Sequence, residues 1–536
     1  MKYIDTSTFD FPGVIGNNFL YVDKTAYIWN LVHPNKGEFF LSRPRRFGKS
    51  LLVSTLKAVF QGRRELFKGL AIDKMDYDWK AYPVIHLDFG DAGVDNLKEM
   101  NDLLASMLED AAEENTVPLR GVGVVIQFKN LVNDLANRAK RERHAKDPLK
   151  KRDAQVVVLV DEYDKPILSN VGNPKVDGIL KRLKQFYGVI KKCEGKIRFA
   201  FITGVSKFSH VSLFSDLNNL TDITLSEDFA GMLGFTEAEI RQYFADRIPL
   251  AAKAKGMAEE QLMANILTWY DGYRFSNGEM HVCNPVSVST FFSNDYNFAN
   301  YWGKTGMPTF LLKLARNTRF NFEKALSTPV SDLVFGAYEL DNLDPMGLLW
   351  QTGYLTIKDV LPGPLGSNMY RLGFPDYEVE QSFNTQLLAY YSGRKDSETA
   401  GVVFQLMTLI RENRVEDFMK ALQAYFATIP YDIRGGDEHY YQTVFFITFL
   451  LLGGEVEAEA RTSDGRIDAV VATRDHVFIF EFKLDKPAPT ALEQIEDKQY
   501  YLRYQSSGKD MTLVGASFNQ ENGKLVDWDY ISIHNS

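Results

Sequence analysis

The sequence predicts an α/β protein in three parts: a doubly wound, parallel-sheet domain over residues 1–230, a helical middle region over 231–429, and a smaller α/β domain over 430–536. Three observations predict this. In the first third, continuously apolar runs such as Val156–Val160 alternate with helical patterns, as parallel strands covered on both faces require. From about residue 230 the apolar spacing becomes helical. Over the last hundred residues a helix, three strand-like runs, a helix and one more strand-like run follow in that order.

Taken in order, GEFFLS (37–42) reads as a strand and SLLVSTLKAVFQ (50–61) as an amphipathic helix. PVIHLDFG (83–90), AQVVVLVDE (154–162) and KIRFAFITG (196–204) read as further strands. Thr236 with Glu239 forms a capping box opening the helix EAEIRQYFADR. Residues 255–430 read as helical, with loops rich in Gly, Asn and Pro near 271–309 and 361–376. HYYQTVFFITFLLL reads as a helix, and GEVEAEA (454–460), RIDAVVAT (466–473) and HVFIFEFK (476–483) as strands. Thr490 and Glu493 are expected to cap a helix running to about Tyr504, and MTLVGASF (511–518) to be the final strand.

The chain has 536 residues, with 61 Lys+Arg against 70 Asp+Glu, a net charge of -9. That excludes a protein that coats nucleic acid by bulk positive charge; any such contact needs a local patch. Residues 430–536 hold 10 Lys+Arg and 18 Asp+Glu, so nearly all of the net charge sits in the last segment. The only cysteines are Cys193 and Cys283, too few for a disulfide framework or a four-cysteine zinc site, and a reducing cytoplasm is expected. No secretory signal is visible in MKYIDTSTFDFPG. The apolar stretch Val444–Leu452, broken by Thr448, is too short to span a bilayer, so no membrane association is expected.

Arg43-Pro-Arg-Arg-Phe-Gly-Lys-Ser50 lies between a predicted strand and a predicted helix, the context of a phosphate-binding loop. Backbone N–H groups over Arg46, Phe47, Gly48, Lys49, Ser50 and Leu51 would cradle phosphates with help from the helix dipole. Lys49 would reach the β- and γ-phosphates of ATP and Ser50 would ligate Mg²⁺. The pattern departs from GxxxxGK[ST] at Arg43, where glycine is usual, and a GK[ST] tripeptide arises by chance in roughly one chain in four of this length. The buried run ending in Asp161-Glu162 adds to the signal. Asp161 would hold Mg²⁺ and Glu162 would orient or deprotonate the attacking water. The alternative is a strand-ending acidic pair that caps a helix. Thr203, ending the next strand, is placed to sense the γ-phosphate. Arg45 and Arg46 would contact phosphate or sit in a solvated loop.

A second constellation lies near the C-terminus. Asp468 and Glu481 on neighbouring strands would converge on one Mg²⁺ or Mn²⁺, and Glu481 and Lys483, two apart in a strand, share a face. A metal-bound water is a better nucleophile, and Lys483 would position it and offset transition-state charge. Glu459, ending the preceding strand, is an additional candidate ligand or a solvated edge carboxylate. Gln494 and Lys498 share a helix face that would lie over the site. RAKRERHAKDPLKKR (138–152) would grip a phosphate backbone or form a solvated helix and loop. The eight histidines form no spaced metal set. Tyr270–Phe275 reads as a core or domain-contact element.

YVDKT (21–25), LSRPRRFGKSLL (41–52), VDEYDKP (160–166), YDGYRF (270–275), LLWQTGYLTI (348–357), GRIDAVV (465–471), FEFKL (480–484) and ALEQIEDKQY (491–500) together resemble one bacterial family, over nearly the whole chain. It joins an AAA-ATPase-like domain to a C-terminal PD-(D/E)XK-superfamily nuclease domain with an αβββαβ, restriction-endonuclease-like core. Its P-loop also carries Arg at the position of Arg43. The resemblance implies Lys49, Ser50, Asp161 and Glu162 as the nucleotide site, and Asp468, Glu481 and Lys483 as nuclease residues with Gln494 in support.

The expected function is therefore ATP binding and hydrolysis coupled to a Mg²⁺-dependent nuclease acting on DNA or RNA. The alternative is a nucleotide-dependent switch or scaffold whose nuclease-like domain binds nucleic acid or protein without cutting. A homo-oligomer is compatible with either, although no trans-acting arginine finger is identifiable in the sequence.

Overall fold

A computed structural model of the chain describes residues 1–34, 37–146, 155–207, 220–305, 326, 328–336, 344–428, 448, 457–459, 469–499, 501–505, 507–519 and 524–534. The chain forms two compact units, Met1–Trp302 with Thr328–Asp376, and Gly303–Ser327 with Tyr377–Ser536. The segment 231–429, expected as one helical region, is divided between them.

The first unit is built on a parallel five-stranded sheet of β1 (Gly37–Ser42), β2 (Val84–Asp88), β3 (Val156–Asp161), β4 (Ile197–Gly204) and β5 (Thr221–Asp222), in the order β2-β3-β4-β1-β5. Every residue of β3 and β4 is buried, the state their unbroken apolar runs anticipate. Helices Leu97–Glu114, Val124–Lys146 and Val176–Lys192 contribute Leu104, Phe128, Leu183 and Phe186 to one core with Ile85, Val158 and Ile202 of the sheet. Parallel strands deliver their carboxyl ends to one edge. The helix Lys49–Phe60 begins at that edge after β1, Asp161 ends β3, and Thr203 lies one residue from the end of β4.

A second core joins Ile4 and Val22 to residues between Ile240 and Tyr301, tying the chain start to the helices after the sheet. Both bonds of the Thr236–Glu239 capping box form. The middle of the chain is helical but also carries a hairpin, β6 (Tyr273–Arg274) with β7 (His281–Val282). It carries as well an antiparallel sheet of β8 (Val330–Ser331), β9 (Thr356–Pro362) and β10 (Asn368–Gly373), ordered β8-β10-β9. These strands were not anticipated, because two-residue strands and strands next to Gly/Pro-rich turns leave little periodicity to read.

In the second unit, helices Tyr377–Ser392, Asp396–Arg411 and Val415–Ala427 precede a mixed sheet of β11 (Glu457–Glu459), β12 (Ala469–Ala472), β13 (His476–Leu484), β14 (Asp510–Phe518) and β15 (Leu525–Ile533), in sequential order. β13 and β14 are parallel, joined across the helix Ala488–Asp497; the other pairings are antiparallel. The expected helix over 439–452 lies outside the described residues, apart from a helical residue at Thr448. Two expectations are corrected. MTLVGASF is not the last strand, because LVDWDYISI pairs with it as β15. Thr490 is not the helix cap, because the helix opens at Ala488 after Pro487, and Pro489 occupies the first turn, where its missing N–H leaves no donor unpaired.

Candidate active sites

The loop between β1 and the helix Lys49–Phe60 turns through two left-handed residues, Arg46 (φ 66°) and Gly48 (φ 88°). Gly48 caps the helix, and only glycine takes that conformation without strain. The Lys49 ammonium donates to the carbonyls of Arg43 (3.0 Å) and Pro44 (2.9 Å), so it is held inside the loop's own curve. Burial pulls the Lys49 pKa down, against Asp161, Glu162 and Asp164, which favour its charged form. The Ser50 side chain lies close enough to Asp161 to lower its pKa, and Leu51 lends its carbonyl to Thr55 (2.7 Å). Asp161 is 2% exposed, and burial pushes its pKa up to about 6 despite Ser50 and Lys49, with Asp88 and Glu162 adding negative charge. Lysine and hydroxyl from the start of one helix and a carboxylate from the end of β3 thus come together at the carboxyl edge of the sheet. A set of hard oxygen donors beside an ammonium is the chemistry a Mg²⁺-nucleotide asks for.

Glu162 follows in a left-handed conformation (φ 48°), partly exposed, with Lys165 3.4 Å from its carboxylate. Thr203 is fully buried and donates to the Leu41 carbonyl (2.8 Å), so its hydroxyl ties β4 to β1. Arg46 donates to the carbonyl of Tyr301 (2.5 Å). Phe47 packs edge-on against Tyr273 and Phe275, with ring centroids 4.7 and 5.3 Å away.

Sequence reasoning singled out Arg43 as a departure but missed its role. Its side chain is buried, and its guanidinium donates to the carbonyls of Ser42 (2.9 Å), Thr224 (2.8 Å) and Phe229 (3.3 Å). It also sits 4.2 Å from the Phe275 ring centroid. Burial lowers its pKa to about 9, against the pull of Asp222. Arg43 therefore points into the protein as a strut beneath the loop. Gly353, in a left-handed conformation, lies under Pro44; an added Cβ would be 2.5 Å from the Pro44 Cβ. YDGYRF and LLWQTGYLTI are thus supports of the phosphate-binding loop. Asp164 was also unassigned. It is buried and accepts from the Val205 N–H (3.1 Å), the Ser206 N–H (2.7 Å) and the Ser206 hydroxyl (2.6 Å), clamping the turn after β3 to the exit of β4.

In the second unit, Glu481 and Lys483 project from one face of β13. Lys483 donates to Glu481 (2.7 Å) and to the Gln494 side-chain oxygen (2.5 Å), and the Gln494 amide donates to Glu481 (2.5 Å). Glu481 is 2% exposed, so a charged and amide-bonded carboxylate is held away from bulk water. Gly515 explains how the helix reaches this close. It pairs with Glu481 across β13 and β14, and a Cβ there would lie 2.6 Å from the Ala488 carbonyl oxygen and 2.9 Å from Leu492. Glu459 lies on β11 opposite Val470. Asp468 lies outside the described residues, and among the described residues no three His, Cys, Asp or Glu side chains form a metal-binding group. Lys498 ends the helix as its C-cap. Among the described residues, no helix is long and apolar enough to cross a membrane.

Residues 6–214 match a family described as a predicted AAA-ATPase. Residues 436–528 match the PD-(D/E)XK nuclease superfamily. The chain is also 35% identical over 529 residues, 95% of each chain, to a protein of Azotobacter chroococcum mcd 1 described as an uncharacterized protein in the vnfD 5′ region. With both domain matches in order and a relative aligned along nearly its full length, the chain belongs to the family that joins an AAA-ATPase-like domain to a PD-(D/E)XK-superfamily nuclease domain.

Proposed function

We propose that this protein binds and hydrolyses ATP through residues 1–230 and cleaves phosphodiester bonds of DNA or RNA through residues 430–536, with Mg²⁺ serving both sites. The observation that carries the reading is that Gln494 of one helix hydrogen-bonds both Glu481 and Lys483 of β13, while Lys49 and Ser50 at a helix start lie close enough to Asp161 at the end of β3 to lower its pKa.

At the nucleotide site, the N–H groups at the start of the helix Lys49–Phe60 bind phosphate oxygens. Lys49 exchanges its carbonyl partners for the β- and γ-phosphates. Ser50 and Asp161 are the residues that would hold Mg²⁺, which neutralises phosphate charge when bound. Glu162 orients the attacking water and accepts its proton. At the nuclease site Glu481, with Asp468 and Glu459 as further candidates, would hold the metal. Lys483 orients the nucleophilic water and offsets the negative charge on the phosphoryl oxygens in the transition state. Gln494 holds both groups in place. The free, buried Cys193 and Cys283 support a reducing cytoplasmic setting.

The test incubates wild-type, Lys483→Ala and Glu162→Gln proteins with single- and double-stranded DNA and RNA, with Mg²⁺, with and without ATP. Lys483→Ala is expected to abolish cleavage and keep ATP binding, and Glu162→Gln to abolish ATP turnover and keep binding. Mg²⁺-dependent cleavage by Lys483→Ala would overturn the nuclease assignment. A wild-type protein that binds nucleic acid without cutting it, at any nucleotide state, is a scaffold instead.

A further inference from the structure

The helix Val176–Lys192 is the crossover between β3, which ends in the Asp161-Glu162 pair, and β4. Its inner face is apolar and buried through Ile179, Leu183, Phe186 and Ile190. Its outward positions are basic: Lys181 and Lys192 are exposed, Arg182, Lys184 and Lys191 partly so, and Lys196 follows the helix, exposed. No acidic residue occurs between Asp177, in the first turn, and Glu194. The neighbouring helix Val124–Lys146 adds exposed Lys129, Lys140 and Arg141, and the Lys196 ammonium donates to Asn133 on that helix (2.5 Å). The clustering is spatial as well as sequential. Burial raises the pKa of the Cys193 thiol, while Lys196, Lys129 and Lys192 all lie close enough to lower it. Acids on these helices are few: Asp134 is paired with Arg120, and Glu142 lies 3.6 Å from Arg138.

We infer that this two-helix face binds the phosphate backbone of a nucleic acid, through Lys181, Lys192, Lys196 and Lys129. The inference rests on the nucleic-acid reading above and names the surface that reading needs. The 430–536 segment holds 18 Asp+Glu against 10 Lys+Arg and repels a polyanion, so the affinity has to come from elsewhere in the chain. The geometry fits. Lys181 and Lys192 are eleven residues apart, about 16 Å along the helix axis at 1.5 Å per residue. That spans about five phosphates of one strand at 3.4 Å each. An ammonium array of this length, with no acid between Lys181 and Lys192, reads the backbone and not the bases, so binding is sequence-independent.

The experiment measures binding of fluorescent 30-mers of DNA and RNA, single- and double-stranded, to the full chain in EDTA, by anisotropy between 50 and 200 mM NaCl. Four neutralised phosphates give a salt slope of about -3.6, a loss of about 150-fold across that range. The Lys181→Gln/Lys192→Gln/Lys196→Gln variant is expected to have a slope nearer -1 and to lose only about 4-fold across the range, with weaker binding at 50 mM. A control triple of exposed lysines elsewhere in the same unit, Lys68→Gln/Lys98→Gln/Lys253→Gln, is expected to keep the wild-type slope. Circular dichroism melts of both triples check the fold. If the basic-face variant binds and responds to salt as the wild type does, the inference falls while the nuclease reading stands. An equal loss in both triples also refutes it, as does a basic face that binds anionic vesicles and no nucleic acid. If wild-type protein binds no nucleic acid, both fall together.

Discussion

Replacing Arg43 by glycine restores the usual phosphate-loop pattern and is expected to damage the protein. The side chain is 1% exposed, and three carbonyls lose a charged donor when it is removed. A hydrogen bond to a charged group contributes about 1.5–3 kcal/mol net, and the ring contact with Phe275 adds about 1. Relief of the guanidinium's own burial, which already lowers its pKa to about 9, offsets part of this. The net destabilisation expected is about 3 kcal/mol, the lower end for breaking a buried charged contact. Five of the six tryptophans lie in the first unit, so urea unfolding followed by tryptophan fluorescence reports chiefly on it. A loosened loop must also be ordered when nucleotide binds, and affinity is expected to fall about tenfold, or 1.4 kcal/mol. Arg43→Lys keeps a charge but not the planar fork and is expected to rescue only part of the loss. An Arg43→Gly protein with the wild-type urea midpoint, or with tighter nucleotide binding, would refute the strut.

Gly515→Ala is expected to push the helix Ala488–Asp497 off β14, at a cost of about 1–3 kcal/mol, and to cut cleavage at least tenfold through Gln494 while leaving ATP binding intact. Cleavage kinetics beside nucleotide titration test it, and wild-type cleavage refutes it. His86 on β2 has a buried Nε2 without a hydrogen-bond partner, and burial, then Lys57, hold its pKa below the ordinary 6.5. The unfolded chain therefore takes up this proton first as pH falls. The contribution is present above pH 6.5 and lost below it, at up to about 1.4 kcal/mol per pH unit. His86→Leu is expected to flatten the fall of the urea midpoint between pH 7 and 5; an unchanged slope counts against it.

From the sequence alone the α/β class is legible, as are four of the five strands of the first sheet to within two residues at either end, the two-residue β5 being too short to show a pattern; Lys49, Ser50, Asp161, Glu481, Lys483 and Gln494 stand out there as candidates by residue type and position. Short unbroken apolar runs of β-branched residues alternating with helical patterns fit parallel strands buried on both faces, and glycine-lysine-serine or paired carboxylates at strand ends are read one residue at a time. Glu481, Lys483 and Gln494 were legible for that reason. What surrounds them was not. That Arg43 is a strut, that Thr203 spends its hydroxyl on Leu41, and that Asp164 clamps Ser206 follow from contacts between residues 42 to 186 positions apart. Gly515 reads as an ordinary strand glycine until the helix above it is in place. Local patterns report burial and backbone preference, both short-range. Which buried polar group meets which partner depends on how the strands are ordered and how closely the helices lie over them, and both are set by contacts distant in the chain.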